Sequence, residues 1–308
     1  MKKFARIIGT GSYLPPRIIT NIELEKTLDT TDEWITSRTG IKERRVVDDQ
    51  STCDLALEAS RKALEMAEMK ASEIDLVILA TTTPDKIFPA TATMLQDRIG
   101  ASCPAFDIQA VCAGFVFALT TAQQYIENGV AKNILVVGSE TMSKIVDWND
   151  RSTAILFGDG AGAVVLSASS THGIISSHIH ADGIYNDLLN VQNNYIQMKG
   201  NEVFKIAVNT LGSLVDETLD KNNMKKKDID WLIPHQANLR IIKATAKKLS
   251  MPMDQVVVTI DKHGNTSAAS IPLALNEAVK DGRIKDDQVI LLEAFGSGFT
   301  WGSVLLRY

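Results

Sequence analysis

The chain has few cysteines, no long apolar run and no excess of basic residues, and each of these absences excludes a class of protein. Its 308 residues include three cysteines, Cys53, Cys103 and Cys112. They fit neither a disulfide framework nor the spacing of a zinc site, so we expect free thiols in a reducing compartment. No apolar run approaches the roughly 20 residues that span a bilayer. A formal net charge of -5 does not supply the basic surface that general nucleic-acid binding requires.

The composition that remains is that of a globular protein with a large core. Hydrophobic residues make up 45% of the chain and charged residues 22%, which excludes an intrinsically disordered protein. Two lysines follow Met1, but glycines and prolines between residues 9 and 16 interrupt any apolar segment that could serve as a signal peptide. We therefore expect a cytoplasmic protein without a membrane span.

Short apolar runs alternate with segments of helical periodicity, which indicates an α/β fold with strands buried on both faces. The runs at residues 74–80, 133–138 and 163–166 predict strands. Residues 111–129 place apolar side chains at helical spacing and stop at a glycine. They predict a helix that begins beside Cys112.

The second half of the chain repeats the pattern of the first. Similar apolar segments lie 155 or 156 residues apart, at 73–78 and 228–233 and at 134–137 and 289–292. This repeat is too long for a solenoid, so we predict two similar halves, residues 1–170 and 171–308, packed into one body. With the same offset, the position equivalent to Cys112 in the second half lies in the loop at residues 263–267. We therefore expect the two equivalent loops to face one pocket.

Cys112 lies at a predicted strand-to-helix junction between small residues. At such a junction the unpaired N–H groups and the dipole of the helix favour the thiolate, which is the nucleophilic form of cysteine. Ala113 and Gly114 leave room for a substrate. The alternative is an inert buried thiol, which is our interpretation of Cys53 and Cys103.

Two further side chains have positions suited to chemistry. His235 follows a predicted buried strand that Pro234 ends, which turns the imidazole into a loop. A structural histidine is the alternative. Asn265 lies in a loop of small residues, where a turn or a helix cap is the simpler interpretation of that residue alone.

In combination, these residues resemble the β-ketoacyl-[acyl-carrier-protein] synthases III, a family of the thiolase-like condensing enzymes. The resemblance runs nearly end to end and rests on residues 9–15, 31–35, 38–41, 107–115, 234–238, 263–267 and 295–302. It implies a thiolase-like α/β fold, with two pseudo-symmetric halves in a five-layered αβαβα arrangement, and a homodimer. It also implies a catalytic triad of Cys112, His235 and Asn265. One departure is Ser297, where many relatives are expected to have glycine.

The resemblance implies a decarboxylating condensation that initiates fatty acid biosynthesis. An acyl-CoA primer, most simply acetyl-CoA, acylates Cys112, and malonyl-acyl carrier protein then loses CO2 and attacks the acyl group. His235 and Asn265 hold the enolate oxygen, while the backbone N–H groups of Cys112 and Gly296 form the oxyanion hole. No metal and no permanently bound cofactor is implied, because acyl-CoA is a substrate.

The resemblance also assigns substrate contacts. Trp34 and Arg151 are expected to sandwich the adenine of CoA, although a solvated loop charge is the alternative for Arg151. The expected CoA contacts are Trp34, Arg38, Arg151 and Asn238. The expected acyl-pocket residues are Met142, Phe157 and Phe88 of the partner subunit. The depth of this pocket, and with it the primer length, is not readable from the sequence.

A basic stripe follows His235 on a predicted amphipathic helix of an otherwise acidic protein. Acyl carrier proteins are acidic, so a basic patch beside the active-site entrance would attract them. A solvated helix face is the alternative. The residues assigned to carrier recognition are Gln236, Ala237, Asn238, Leu239, Arg240, Lys247, Lys248 and Lys205.

Other functions compete with this interpretation. A dinucleotide-binding loop at residues 158–162 is disfavoured because the residues after it predict a strand rather than a helix. A cysteine-dependent thioester hydrolase would use the same three residue types, and a related condensing enzyme would differ only in its primer. A carrier-binding protein without activity would not need all three catalytic types.

Overall fold

A computed structural model describes residues 3–308. The strands are β1 (Phe4–Tyr13), β2 (Arg17–Thr20), β3 (Glu43–Val46), β4 (Leu76–Ala80), β5 (Ala105–Ile108), β6 (Asn133–Thr141), β7 (Asp159–Ser169), β8 (Ile174–Ala181), β9 (Leu189–Gln192), β10 (Tyr195–Met198), β11 (Trp231–Pro234), β12 (Val289–Gly296) and β13 (Thr300–Arg307). The helices are α1 (Asn21–Leu24), α2 (Asp32–Thr39), α3 (Thr52–Met66), α4 (Thr91–Ile99), α5 (Gly114–Glu127), α6 (Arg151–Ala154), α7 (Gly200–Lys221), α8 (Leu239–Leu249), α9 (Ile260–His263) and α10 (Ser270–Lys280).

Two sheets organise the chain. The first has the strand order β1-β7-β6-β4-β5, and the second has the order β11-β12-β13-β8. The last strand of the first sheet ends at Ser169, and the second sheet begins at Ile174. The limits that the sequence predicts for the two halves, residues 170 and 171, lie in this connection.

The strand registers show that both sheets follow one pattern. In the first sheet β4 and β6 are parallel, with Leu76 opposite Ile134. In the second, β11 and β12 are parallel, with Trp231 opposite Ile290, which are 155 and 156 residues further along. A bridge between Leu232 and Val256 marks the place that β5 occupies in the first sheet.

Five layers result from the packing of helices on these sheets. Helices α5 and α10 lie between the sheets, α3 and α4 cover the outer face of the first sheet, and α7 and α8 cover the second. The central core joins apolar side chains of α5, α10 and both sheets, including Phe115, Leu119, Val136, Ile271 and Leu292. The predicted αβαβα arrangement is confirmed.

The predicted strands and helix are confirmed, with shifts at their ends. Residues 163–166 are the middle of β7, and residues 158–162 lead into this strand rather than into a helix. The structure therefore gives the dinucleotide-loop alternative no support. The predicted helix at 111–129 starts as a 3-10 turn over Val111–Ala113, and α5 follows. Within residues 3–308 no helix combines the length and apolar character that a membrane crossing needs.

The close packing of β6 against the start of α10 predicts that an added side-chain atom at Gly138 destabilises the fold. A Cβ on Gly138 in β6 would lie 2.4 Å from the Ala268 carbonyl oxygen, just before α10, whereas one on Gly183 would meet nothing within 4 Å. We expect Gly138→Ala to lower the free energy of unfolding by about 1–3 kcal/mol, since backbone would have to move. Gly183→Ala should change it little. Urea denaturation at one protein concentration checks this, and equal stability of the two variants would contradict it.

Candidate active site

Cys112 lies at the buried start of the helix that the two sheets enclose. Val111 has φ of 47°, which turns the chain from β5 into the 3-10 turn and then into α5. Gly296, at the end of β12, packs directly against this turn. A Cβ on Gly296 would lie 2.8 Å from the Cys112 nitrogen and 2.9 Å from the Ala113 nitrogen. Only glycine lets the two backbone segments approach this closely.

His235 emerges from the end of β11 in the second sheet. Pro234 is the last residue of that strand, and the His235 N–H donates to the Glu293 carbonyl oxygen at 2.8 Å. The imidazole Nδ1 is buried without a hydrogen-bond partner among residues 3–308. Burial without a hydrogen-bond partner costs less free energy for an unprotonated ring nitrogen than for a ring N–H group. We therefore assign the proton to Nε2.

Asn265 lies after α9, where backbone contacts fix it on both sides. Its N–H donates to the Leu156 carbonyl oxygen at 2.8 Å, and its own carbonyl accepts from the Gly158 N–H at 3.0 Å. The side-chain Oδ1 accepts from the Ser267 N–H at 2.9 Å. With the oxygen occupied, the Nδ2 group is the end of the amide left to donate to a ligand.

Burial sets the electrostatic state of the cysteine and the histidine. It raises the pKa of the Cys112 thiol to about 12, with the nearby Glu140 carboxyl adding to the rise and Ser267 opposing it. Burial also lowers the pKa of His235 to about 3. Both groups are therefore neutral at rest, and the imidazole acts as a hydrogen-bond donor rather than as a cation.

Two cavities meet at Cys112. The larger, of about 420 Å³, is lined by all three predicted catalytic residues, Cys112, His235 and Asn265. The smaller, of about 230 Å³, is lined by Cys112, Met142, Ile145, Phe157, Val191 and Ile196, with polar atoms from Thr82, Gln109 and Ser297. Cys112, Phe157 and Leu189 line both. The sulfur thus lies between one space open to a large substrate and a second, smaller apolar space.

The structure places the predicted acyl-pocket residues in two environments. Met142 and Phe157 are buried and line the smaller cavity. Phe88 is 82% exposed, beside Ile87, which is 97% exposed, and lines neither cavity of the single chain. The contribution of Phe88 to a partner's pocket stays a prediction.

The predicted CoA contacts cluster at the mouth of the larger cavity. Trp34, Arg38 and Asn238 line it. The guanidinium carbon of Arg151 lies 5.0 Å from the centre of the Trp34 ring, and its Nη1 donates to the Asp29 carbonyl oxygen at 2.7 Å. An aromatic ring inserted between them would need about 7 Å, twice a contact distance of about 3.5 Å. A sandwich of adenine therefore requires Arg151 to move outward.

The predicted carrier-binding residues do not share one environment. Lys205, Arg240 and Lys247 are exposed, and Ala237 and Arg240 line the larger cavity. Lys248 forms an ion pair with Asp216 on α7 at 2.6 Å.

Two neighbours in this predicted set have structural roles instead. Leu239 packs against Gly40, where an added Cβ would lie 2.6 Å from the Leu239 Cβ. Gln236 is 1% exposed. Its amide donates to the carbonyls of Pro234 and Val257 and accepts from the N–H groups of Thr259 and Ile260. A docking protein would not reach this buried side chain, and the assignment of Gln236 to carrier recognition stays a prediction.

Two residues beside Cys112 were not predicted from the sequence. Glu140 is fully buried at the end of β6, and Ser267 precedes α10 with its hydroxyl buried beside Cys112 and Glu140. The Glu140 carboxyl raises the pKa of Cys112, and the Ser267 hydroxyl lowers it. The internal repeat held the signal, since Glu140 precedes Gly296 by 156 residues, as Val111 precedes Ser267.

Comparisons with known proteins identify the family and the fold of this chain. The family described as 3-oxoacyl-[acyl-carrier-protein (ACP)] synthase III matches residues 106–183, and its C-terminal part matches residues 219–308. The β-ketoacyl-[acyl-carrier-protein] synthase III of Vesicomyosocius okutanii is 62% identical over 314 residues, covering 100% of both chains. That of Thioalkalivibrio sulfidiphilus is 60% identical over 320 residues, covering 99% of both.

Solved structures lead to the same assignment. The crystal structure of 3-oxoacyl-[acyl-carrier-protein] synthase III from Aquifex aeolicus VF5 matches with a TM-score of 0.97 at 50% identity, covering 99% of this chain and 100% of that one. The fold is that of the thiolase-like condensing enzymes, which are acyltransferases. The chain belongs to the β-ketoacyl-[acyl-carrier-protein] synthase III family. The predicted family and enzyme class are confirmed.

The raised pKa of Cys112 predicts how fast the thiol reacts at each pH. Below a thiol pKa of about 12 the thiolate fraction grows about tenfold per pH unit. Alkylation of Cys112 by iodoacetamide, followed by peptide mass analysis, should therefore accelerate about tenfold per unit from pH 7 to pH 9. A plateau below pH 8 would contradict this and would show a thiolate stabilised by the helix start.

Proposed function

We propose that this protein condenses an acyl-CoA primer with malonyl-acyl carrier protein to give 3-oxoacyl-acyl carrier protein, CO2 and CoA, the initiating step of fatty acid synthesis. One observation carries the proposal. Cys112, at a buried helix start, lies where two cavities meet, and the larger of them also presents His235 and Asn265. This arrangement allows an acyl group to be held on one side of the sulfur while a second substrate enters from the other.

The first step transfers the acyl group to the enzyme. The Cys112 sulfur attacks the thioester carbonyl of acyl-CoA, and the bond to the CoA sulfur breaks as the thiol proton passes to the leaving group. The oxygen of the tetrahedral intermediate accepts hydrogen bonds from the backbone N–H groups of Cys112 and Gly296. The closeness of the Gly296 backbone to the Cys112 nitrogen supports this role.

The second step forms the carbon–carbon bond. Malonyl-acyl carrier protein loses CO2, and the developing enolate oxygen accepts hydrogen bonds from His235 Nε2 and Asn265 Nδ2. The enolate carbon then attacks the acyl carbonyl, and the Cys112 sulfur leaves and takes up a proton. Two features support these roles. His235 is neutral with its proton on Nε2, and the Asn265 oxygen is already occupied by Ser267.

The remaining walls of the cavities support the assignment of the two substrates. The phosphopantetheine arm fits the larger cavity, whose mouth carries Trp34, Arg38 and Asn238. The primer's acyl chain fits the smaller cavity beside Met142 and Phe157. Its volume of about 230 Å³ accommodates a short primer such as acetyl.

The enzyme is expected to act in the cytoplasm as a homodimer. Strand β5 has a partner on one side only, so one edge of the first sheet is open to pairing. Ile87 and Phe88 expose large apolar side chains. A second copy that covered this surface would bring its Phe88 toward the smaller cavity, as the acyl-pocket prediction requires.

Loss of the nucleophile tests the proposed function directly. The variant Cys112→Ser should lower condensation of acetyl-CoA with malonyl-carrier protein by at least about a thousandfold, because no acyl-enzyme can form at a normal rate. Intact-mass analysis should show one added acyl group on the wild type and none on the variant. Cys103→Ser is the matched control and should keep full activity. Hydrolysis of acyl-CoA by the wild type without carbon–carbon bond formation would instead identify a hydrolase.

Charge reversal at the cavity mouth tests carrier docking. Arg240 is exposed, and its guanidinium carbon lies 4.9 Å from the centre of the Phe204 ring. We expect Arg240→Glu to raise the KM for malonyl-carrier protein about tenfold, because a negative charge would face an acidic partner. Acylation of Cys112 by acyl-CoA should change little. Arg61→Glu, the same reversal on α3 in the opposite outer layer, is the control, and equal loss of both reactions in Arg240→Glu would refute carrier docking there.

A further inference from the structure

The two halves of the protein present two equivalent helix starts to each other. Val111 and Ser267 are 156 residues apart and have nearly the same left-handed backbone, with φ of 47° and 48°. Each begins a 3-10 turn, Val111–Ala113 or Ser267–Ala269, that leads into a central helix. Ala268 is therefore the counterpart of Cys112.

Different residues face these two starts. Gly296 faces Cys112, and its backbone packs so closely on this helix start that a Cβ there would lie 2.8 Å from the Cys112 nitrogen. The residue 156 positions before Gly296 is Glu140, and its Oε1 accepts from the Ala268 N–H at 3.5 Å. The place that the proposed oxyanion occupies in one half is thus filled in the other by a carboxyl group of the protein.

The Glu140 carboxyl is held by a dense set of donors. Its oxygens accept from the Thr83 hydroxyl at 2.6 Å and from the Thr81 hydroxyl at 3.2 Å. The N–H groups of Thr82 and Thr83 each donate at 3.1 Å. The residue is 0% exposed. A carboxyl group with this many partners fixes the loop after β4 against the turn before α10.

Both of these segments belong to the site. The turn carries the Ser267 N–H that orients the Asn265 amide. The loop carries Thr82, which lines the smaller cavity and accepts from Gln109 Nε2 at 3.4 Å. Burial raises the pKa of Cys112 to about 12 and that of Glu140 to about 7, and the Ser267 hydroxyl lies close enough to both to oppose this rise. Glu140 therefore connects the wall of the acyl cavity to the residue proposed to bind the enolate.

We propose that Glu140 is a positioning residue of the condensation: its carboxyl fills the second, unused oxyanion site and so fixes the turn that aims Asn265 at the enolate. This inference rests on the proposed function. It predicts that Glu140 serves the decarboxylation step, in which Asn265 takes part, more than the acylation step, in which Cys112 acts with its own helix start.

The variant Glu140→Gln tests this with little change in size. Either orientation of the new amide places an NH2 group against N–H donors of Thr82, Thr83 or Ala268, so the turn must shift. We expect the kcat for CO2 release from malonyl-carrier protein to fall tenfold or more with its KM within about twofold. Acylation of Cys112 by acetyl-CoA, followed by intact mass, should stay within about threefold of the wild type.

A control variant separates this role from a general effect of losing a carboxyl group that accepts backbone hydrogen bonds. Asp107 is half-buried in β5 of the same sheet, accepts from the N–H groups of Thr91 and Ala92 on α4 at 2.8 and 2.7 Å, and lines neither cavity. Asp107→Asn should leave the ratio of CO2 release to acylation unchanged. Glu140→Asp, which keeps the carboxyl group but is one methylene shorter, should lower the same ratio less than Glu140→Gln, and it replaces that variant if Glu140→Gln does not fold.

The outcomes are distinguishable. A parallel fall of acylation and CO2 release in the Glu140 variants, or no fall in either, would overturn the positioning role. A wild type that is acylated but forms no carbon–carbon bond would instead overturn the proposed function. A selective loss of CO2 release in Glu140→Gln supports both.

Discussion

The starts of α5 and α10 are buried between two sheets, and a buried helix start needs acceptors for its unpaired N–H groups. The two halves of the chain supply these acceptors in different ways, and the rest of the site depends on that difference. At α10 the protein supplies a carboxyl group, that of Glu140. At α5 the opposing residue is Gly296, which supplies no side chain, and in the proposed reaction the N–H of Cys112 binds a substrate oxygen. The two halves of the duplicated fold therefore differ at two equivalent positions: Cys112 corresponds to Ala268, and Glu140 corresponds to Gly296.

The same burial determines the chemistry that the site can perform. Burial holds Cys112 as a thiol and His235 as a neutral imidazole. In the proposed reaction, charge develops on the thioester oxygens of the substrate, where fixed N–H donors stabilise it. The hydrogen bond from Ser267 to Asn265 and the backbone bond from His235 to Glu293 hold those donors in place before substrate arrives.

Loops from distant parts of the chain form the walls around this centre. Leu189, in a hairpin of β9 and β10, separates the two cavities. The Ser297 hydroxyl donates to the Leu189 carbonyl oxygen, so the serine that departs from the expected glycine ties the turn after β12 to that hairpin. Such contacts depend on which loops meet in space. A single sequence does not show which side chains will satisfy them.

The sequence alone determined the alternation of strands and helices and the position of Cys112 at a helix start, because hydrophobic periodicity is a property of neighbouring residues. It also determined the duplication, because similar segments recur 155 or 156 residues apart. The motif resemblance added the triad, the substrates and most contact residues. Only the tertiary structure decided that Gln236 is inaccessible, that Arg151 rests on Trp34, and that Glu140 faces Ala268. Each of these depends on burial and on contacts between residues far apart in the chain, which arise only when the two sheets close over the central helices.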